Sequence, residues 1–144
     1  MAKEIRTEIE IEASAEGVWN LLTDFAHFPE WNPFIRQVKG SASTGNQLTV
    51  TIQPPGGKTM TFKPHVLDAQ PNRQLRWIGR VLIRGLFDGE HSFGIEPLGE
   101  NRVRFTHRER FSGLFVPFFS TGRSQQGFEE MNKALKTRAE QPMA

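Results

Sequence analysis

His107 and Glu109 stand two apart in the run Arg102-Val103-Arg104-Phe105-Thr106-His107-Arg108-Glu109-Arg110-Phe111, which alternates with a period of two. In a strand, residues two apart share a face, so both project on the side of Val103, Phe105 and Phe111. Ionisable groups on an apolar face are costly unless they find partners or line an enclosed polar space. An imidazole beside a carboxylate can give or take a proton near neutral pH, which aldol-type ring closure or dehydration requires. His107 and Glu109 are therefore the candidate catalytic residues. In the competing structural reading they bond to each other, to buried water or to backbone, and only satisfy a polar pocket.

Neighbouring segments carry the same phase. Leu75, Trp77, Gly79 and Val81 fall on one face of their strand, and His91, Phe93 and Ile95 on one face of theirs. If the three strands are neighbours, Trp77, His91, His107 and Glu109 converge. Two histidines and a carboxylate also suggest a metal triad, with His107 and Glu109 roughly 7 Å apart at Cα. Nothing in the spacing makes His91 complete the set, and His27 and His65 add no ligand, so neither metal nor cofactor is expected. Gly57-Lys58-Thr59 imitates the end of a phosphate loop, but that pattern needs glycine where Ile52 stands. Pro54-Pro55-Gly56-Gly57 reads as a hairpin tip.

The positioning elements follow from periodicity. Ile5, Thr7, Ile9 and Ile11 alternate with charged residues as a half-buried strand. Ser14 stands at an N-cap position, Glu16 suits the helix start, and Val18, Leu21, Leu22 and Phe25 follow at helical spacing. Asp24 to Phe34 holds two prolines and several aromatics, the mark of a short helical turn. Strands are predicted around Val38 and over Leu48–Gln53, Thr59–Leu67, Gln74–Val81, Phe87–Glu96 and Val103–Phe111, joined by short turns as an antiparallel meander. Phe128, Met131, Asn132, Leu135 and Ala139 then share one face of a long terminal helix, whose start is blurred by Gly113, Pro117, Gly122 and Gly127.

The chain of 144 residues is sized for one domain, 1–144. It has no cysteine, so disulfide, thiolate and Cys-based metal chemistry are excluded. Lys plus Arg number 18 against 16 Asp plus Glu and are dispersed, which argues against a nucleic-acid partner. The arginines at 102, 104, 108 and 110 read as a solvated outer face in preference to an anion-binding one. No apolar run reaches membrane-spanning length, and the start of the sequence lacks the apolar core of a cleaved signal, so a cytoplasmic location is expected. No repeat or linker breaks the chain.

Asp24-Phe25, Phe28-Pro29-Glu30-Trp31-Asn32-Pro33-Phe34, Trp77 with Gly79, Gly89-Glu90-His91 with Phe93, Thr106-His107-Arg108-Glu109, Phe111-Ser112-Gly113, and Gly127-Phe128 with Met131-Asn132 and Leu135 together resemble the polyketide cyclase/dehydrase-like branch of the START/Bet v 1 (SRPBCC) superfamily. The resemblance covers nearly the whole chain. It implies an α+β helix-grip fold, with a curved antiparallel sheet of about seven strands around a long C-terminal helix and two short helices after the first strand. It also implies a deep cavity for a hydrophobic small molecule, lipid-like, aromatic or polyketide-like. Trp77, His91, Phe93, Phe105, His107, Glu109, Phe128, Met131 and Asn132 are the candidate ligand contacts.

The stretch Phe111 to Phe119 is too short to span a bilayer and too aromatic for an ordinary exposed loop. Leu114, Phe115, Phe118 and Phe119, with Leu82, Ile83, Leu86 and Phe87, form a candidate portal; packing of the helix start or a dimer surface are the alternatives, so monomer and homodimer both stay open. The function favoured by the sequence is a carrier or sensor of a hydrophobic small molecule, because no complete catalytic constellation is visible. A cyclase or dehydratase using the His/Glu pocket is the alternative, and a chaperone-associated interaction module a weaker one.

Overall fold

The computed structural model describes residues 2–80, 85, 88–114 and 121–141. The first strand, β1 (Ala2–Ile11), runs directly into α1 (Ala15–Thr23), a single 3-10 turn (Phe25–His27) and the short α2 (Phe28–Trp31). Ser14 caps α1: its hydroxyl accepts the Gly17 N–H at 3.0 Å, satisfying one of the free donors at the helix start. Val18, Trp19 and Leu22 turn inward from α1, and Phe25, Phe28 and Trp31 pack edge to face beyond it.

Seven strands follow: β2 (Ile35–Lys39), β3 (Thr49–Ile52), β4 (Met60–Phe62), β5 (His65–Gln70), β6 (Gln74–Arg80), β7 (Asp88–Gly99) and β8 (Arg102–Ser112). The stretch Thr59–Leu67, read from sequence as one strand, divides into β4 and β5 at Pro64, where a missing N–H and a fixed φ interrupt the ladder. The antiparallel strands β1-β8-β7-β6-β5 form the long sheet, and β2-β3-β4 form a second. Residues before β3 join the two: Leu48 N–H donates to the Pro64 carbonyl and Val66 N–H to that of Asn46, both at 2.8 Å.

The last helix, α3 (Gly122–Ala139), packs against β1 and α1. Phe128, Met131, Asn132 and Leu135 are its buried side chains, the face predicted by helical periodicity. The helix starts at Gly122 and continues through Gly127, where a Cβ would overlap the ring of Phe34. Gly127 is thus the price of a close approach between α3 and the chain entering β2. Ile11, Leu75, Phe93, Val103 and Phe105 complete the core between sheet and helix. The arginines of the outer sheet face are neutralised across strands, Arg102 by Glu10, Arg104 by Glu8 and Glu96, and Arg108 by Glu4.

Candidate functional site

The register of the long sheet brings the sequence candidates into two adjacent rows. Trp77 lies opposite His91, His91 opposite Glu109, and Glu109 opposite Ile5. In the next row Leu75 faces Phe93, Phe93 faces His107, and His107 faces Thr7. All point to the concave side, so His91 and His107 are diagonal neighbours within side-chain reach.

Their rings meet nitrogen to nitrogen, His91 Nε2 to His107 Nε2 at 2.6 Å. The other nitrogen of His107, Nδ1, lies 3.0 Å from Asn132 Oδ1 on α3. Asn132 Nδ2 donates to Thr7 Oγ1 at 2.8 Å, and the Thr7 hydroxyl donates to the His107 carbonyl at 3.1 Å. Thr7, His107 and Asn132 are all buried.

Proton polarity along this chain follows from the donor inventory. The single hydroxyl proton of Thr7 is committed to a carbonyl, so Thr7 accepts from the Asn132 amide. The Asn132 oxygen is then turned to His107, whose Nδ1 carries the proton it accepts. Complete burial pushes His107 well below the ordinary histidine pKa; the adjacent His91 adds to this, while hydrogen bonds to Asn132 and the Phe128 backbone oppose it. A neutral His107 protonated at Nδ1 presents a lone pair at Nε2, and His91 donates its Nε2 proton to it. The remaining nitrogen of His91, Nδ1, is then left with its lone pair. It lies 3.5 Å from Glu109 Oε1, too far for a good hydrogen bond but close enough for an ion pair when the ring is charged.

His91 and Glu109 form part of the floor of a cavity of about 470 Å³, with side chains 4 % and 16 % exposed. Phe34, Ile52, Phe62 and Phe111 supply apolar wall, and Gly79 and Gly89 lower the sheet beneath it. Gly89 has a specific role: a Cβ there would stand 2.6 Å from Glu109 Oε2, so glycine makes room for the carboxylate. The hairpin between β3 and β4 and the first turn of α3 bring Lys58, Arg123 and Ser124 to the edge. Lys58, Met60, Thr61, Arg80 and Arg123 are solvent-exposed, so this edge is the mouth.

Of the candidate contacts, the cavity surface contains His91 and Glu109. Trp77, Phe93, Phe105, His107, Phe128, Met131 and Asn132 lie in the packed layer around and beneath them. His107 stacks in parallel on Phe128 with 4.0 Å between ring centroids, and Trp77 lies against both His91 and Phe93. The indole N–H of Trp77 is buried with no hydrogen-bond partner among the described residues. Leu114 is 72 % exposed; Leu82, Ile83, Leu86, Phe87, Phe115, Phe118 and Phe119 lie outside the described residues. His27 pairs with Asp24 on the surface and His65 sits exposed on β5. Both ring nitrogens of His107 face protein partners, so it does not serve as a ligand in a His/His/Glu triad. Among the described residues, no group of three or more His, Cys, Asp or Glu side chains is placed to hold a metal.

Sequence reasoning missed Thr7 as part of the network and Phe34, Ile52, Phe62 and the cationic mouth as part of the cavity. Thr7 had left a signal, a hydroxyl in an otherwise isoleucine-rich inward row.

The fold matches that of a START superfamily protein from Mycobacterium smegmatis, with 25% identity, a TM-score of 0.73, and 95% of this chain and 97% of that one covered. It also matches ginseng major latex-like protein 151 from Panax ginseng (TM-score 0.80, 11% identity, 97% and 99% covered). A third likeness is to norcoclaurine synthase from Thalictrum flavum in complex with dopamine and hydroxybenzaldehyde (TM-score 0.70, 15% identity, 99% and 90% covered). The last two likenesses establish the fold alone. No curated protein matches the chain. The model of the family described as polyketide cyclase/dehydrase and lipid transport matches residues 2–140, and with the helix-grip architecture around a cavity, this match makes the chain a member of that family.

Proposed function

We propose that this protein binds a hydrophobic small molecule in the cavity between β4, β6, β7, β8 and the start of α3. The observation that carries this reading is the cavity itself: about 470 Å³, apolar over most of its wall, with His91 and Glu109 as the polar groups of its floor. That volume suits one small ligand, and a few convergent polar groups on an apolar surface fix a ligand's orientation. A ligand hydroxyl, which can donate, is the complement to the acceptors Glu109 and His91 Nδ1. Native mass spectrometry of the freshly purified protein, with saturable binding of the neutral dye Nile red, tests the proposal. A protein that carries no adduct and gives no saturable fluorescence does not bind in this way.

One observation favours a second reading, proton-transfer catalysis on a carbonyl-bearing ligand: the lone-pair nitrogen of His91 sits beside a carboxylate at the cavity floor. The reacting pair is then Glu109 and His91, with His107 positioning His91 from below. Bound polyketide-like or aromatic carbonyl compounds should turn over in the wild type and lose turnover in Glu109→Gln. Binding without turnover above buffer leaves the carrier reading alone.

A further inference from the structure

Three cations, Lys58 from the β3–β4 hairpin, Arg80 at the end of β6 and Arg123 in the first turn of α3, surround the mouth of the cavity. They come from three separate elements. Among the described lining residues Glu109 is the one carboxylate, and it lies on the floor beside His91. None of the three cations has an ion-pair or hydrogen-bond partner among the described residues. Elsewhere on the sheet, Arg76, Arg102, Arg104 and Arg108 each face a glutamate. The Arg123 guanidinium lies over Gly57, about 3.6 Å from where a Cβ would stand, so helix and hairpin meet across the opening.

We infer that the cavity selects a single-chain amphiphile with an anionic head, a monocarboxylate such as a fatty acid, whose head lies among Lys58, Arg80 and Arg123 and whose apolar body lies along the wall of Phe34, Ile52, Phe62 and Phe111. The inference rests on the cavity being the ligand site and adds the charge of its ligand. Each exposed ion pair contributes little alone, about 0.2–1 kcal/mol, but three cations converging on one head raise affinity roughly tenfold. A cationic head meets the reverse balance of charge. The cavity volume fits one drug-sized molecule, which favours one chain over a two-chain phospholipid.

The test is displacement of Nile red by dodecanoate and by dodecanol, which share a chain and differ in head charge. Wild type should bind dodecanoate roughly tenfold more tightly than dodecanol, and raising salt from about 50 mM to about 500 mM should weaken only the acid. The triple variant Lys58→Gln/Arg80→Gln/Arg123→Gln should bring the two ligands within about twofold while leaving dodecanol unchanged. Equal affinity for acid and alcohol in wild type overturns the inference, as does a preference that survives in the triple variant. Binding of the wild type to anionic vesicles, with no preference for monomeric dodecanoate, also overturns it and makes the mouth a membrane-facing surface. If neither ligand nor dye binds, the cavity reading itself falls, and the inference with it. The salt dependence in wild type decides the matter even if the triple variant folds poorly.

Discussion

His91 and His107 share one proton between their Nε2 atoms at 2.6 Å, and the buried partners of His107 decide which ring holds it. Thr7 fixes the Asn132 amide, Asn132 fixes the protonated nitrogen of His107, and His107 in turn fixes that of His91. Polarity set in the core thus reaches the cavity floor, where His91 Nδ1 faces Glu109. A tautomer fixed by second-neighbour hydrogen bonds is a common way to orient an imidazole at a site.

The first prediction concerns those tautomers. Nitrogen-15 NMR of the imidazoles should show His107 neutral and protonated at Nδ1, with no titration near the ordinary histidine value. His91 should carry its proton at Nε2. His27 should titrate above the usual range, because its bond to Asp24 and the charges of Asp24 and Glu30 favour the charged ring. A His107 protonated at Nε2 breaks the chain of inference at its root.

Burial of a neutral His107 also makes stability depend on pH. The unfolded histidine takes up a proton below about pH 6.5, whereas the folded one resists until its depressed pKa is reached. The unfolded state then binds more protons, so stability falls as pH drops below about 6.5, by up to ~1.4 kcal/mol per unit. His27 acts in the opposite sense: its raised pKa stabilises below about 6.5, and this is lost as pH rises through the folded value. Urea unfolding from about pH 7 to about pH 5 in a His27→Gln background isolates the buried ring. The decline should be shallower once His107→Gln is added; identical slopes refute the assignment.

Thr7 and Asn132 should be energetically coupled. Thr7→Val leaves the buried Asn132 amide with an unmet donor and should cost about 1–3 kcal/mol. Asn132→Leu strips the acceptor from His107 Nδ1 and should cost at least as much. The double variant should cost less than the sum by about 0.5–3 kcal/mol, because removing both partners leaves fewer orphaned groups. Strict additivity in urea titrations means that the two side chains do not act as one network.

Much of this arrangement was legible in the sequence because strand alternation is a strict geometric rule. The period of two placed Val103, Phe105, His107, Glu109 and Phe111 on the inner face, and they lie there. Helical spacing likewise placed Phe128, Met131, Asn132 and Leu135 inward. Depth was not legible. His91 and His107 have the same phase and nearly the same exposure, but one borders the cavity and the other lies under Phe128. That difference is set by where α3 crosses the sheet, which periodicity does not encode. The cationic mouth was hidden for the same reason, since Lys58, Arg80 and Arg123 meet through tertiary packing of three distant segments.

The same crossing gives the final prediction, at Gly127. Glycine inside a helix ordinarily costs about 1 kcal/mol relative to alanine, so Gly127→Ala at an open site would stabilise α3. Here the added methyl overlaps the Phe34 ring, which stacks edge to face on Phe128 and also forms part of the cavity wall. Overpacking of this kind costs about 1–3 kcal/mol, enough to outweigh the helical gain. Gly127→Ala should therefore lower the unfolding midpoint and weaken Nile red binding as Phe34 is displaced. Relief should follow from Phe34→Leu in the same chain, which trades the ring for a smaller side chain and should recover part of the lost stability. If Gly127→Ala alone raises the midpoint, then Phe34 yields at little cost and the close contact between α3 and the entry to β2 does not constrain the cavity wall.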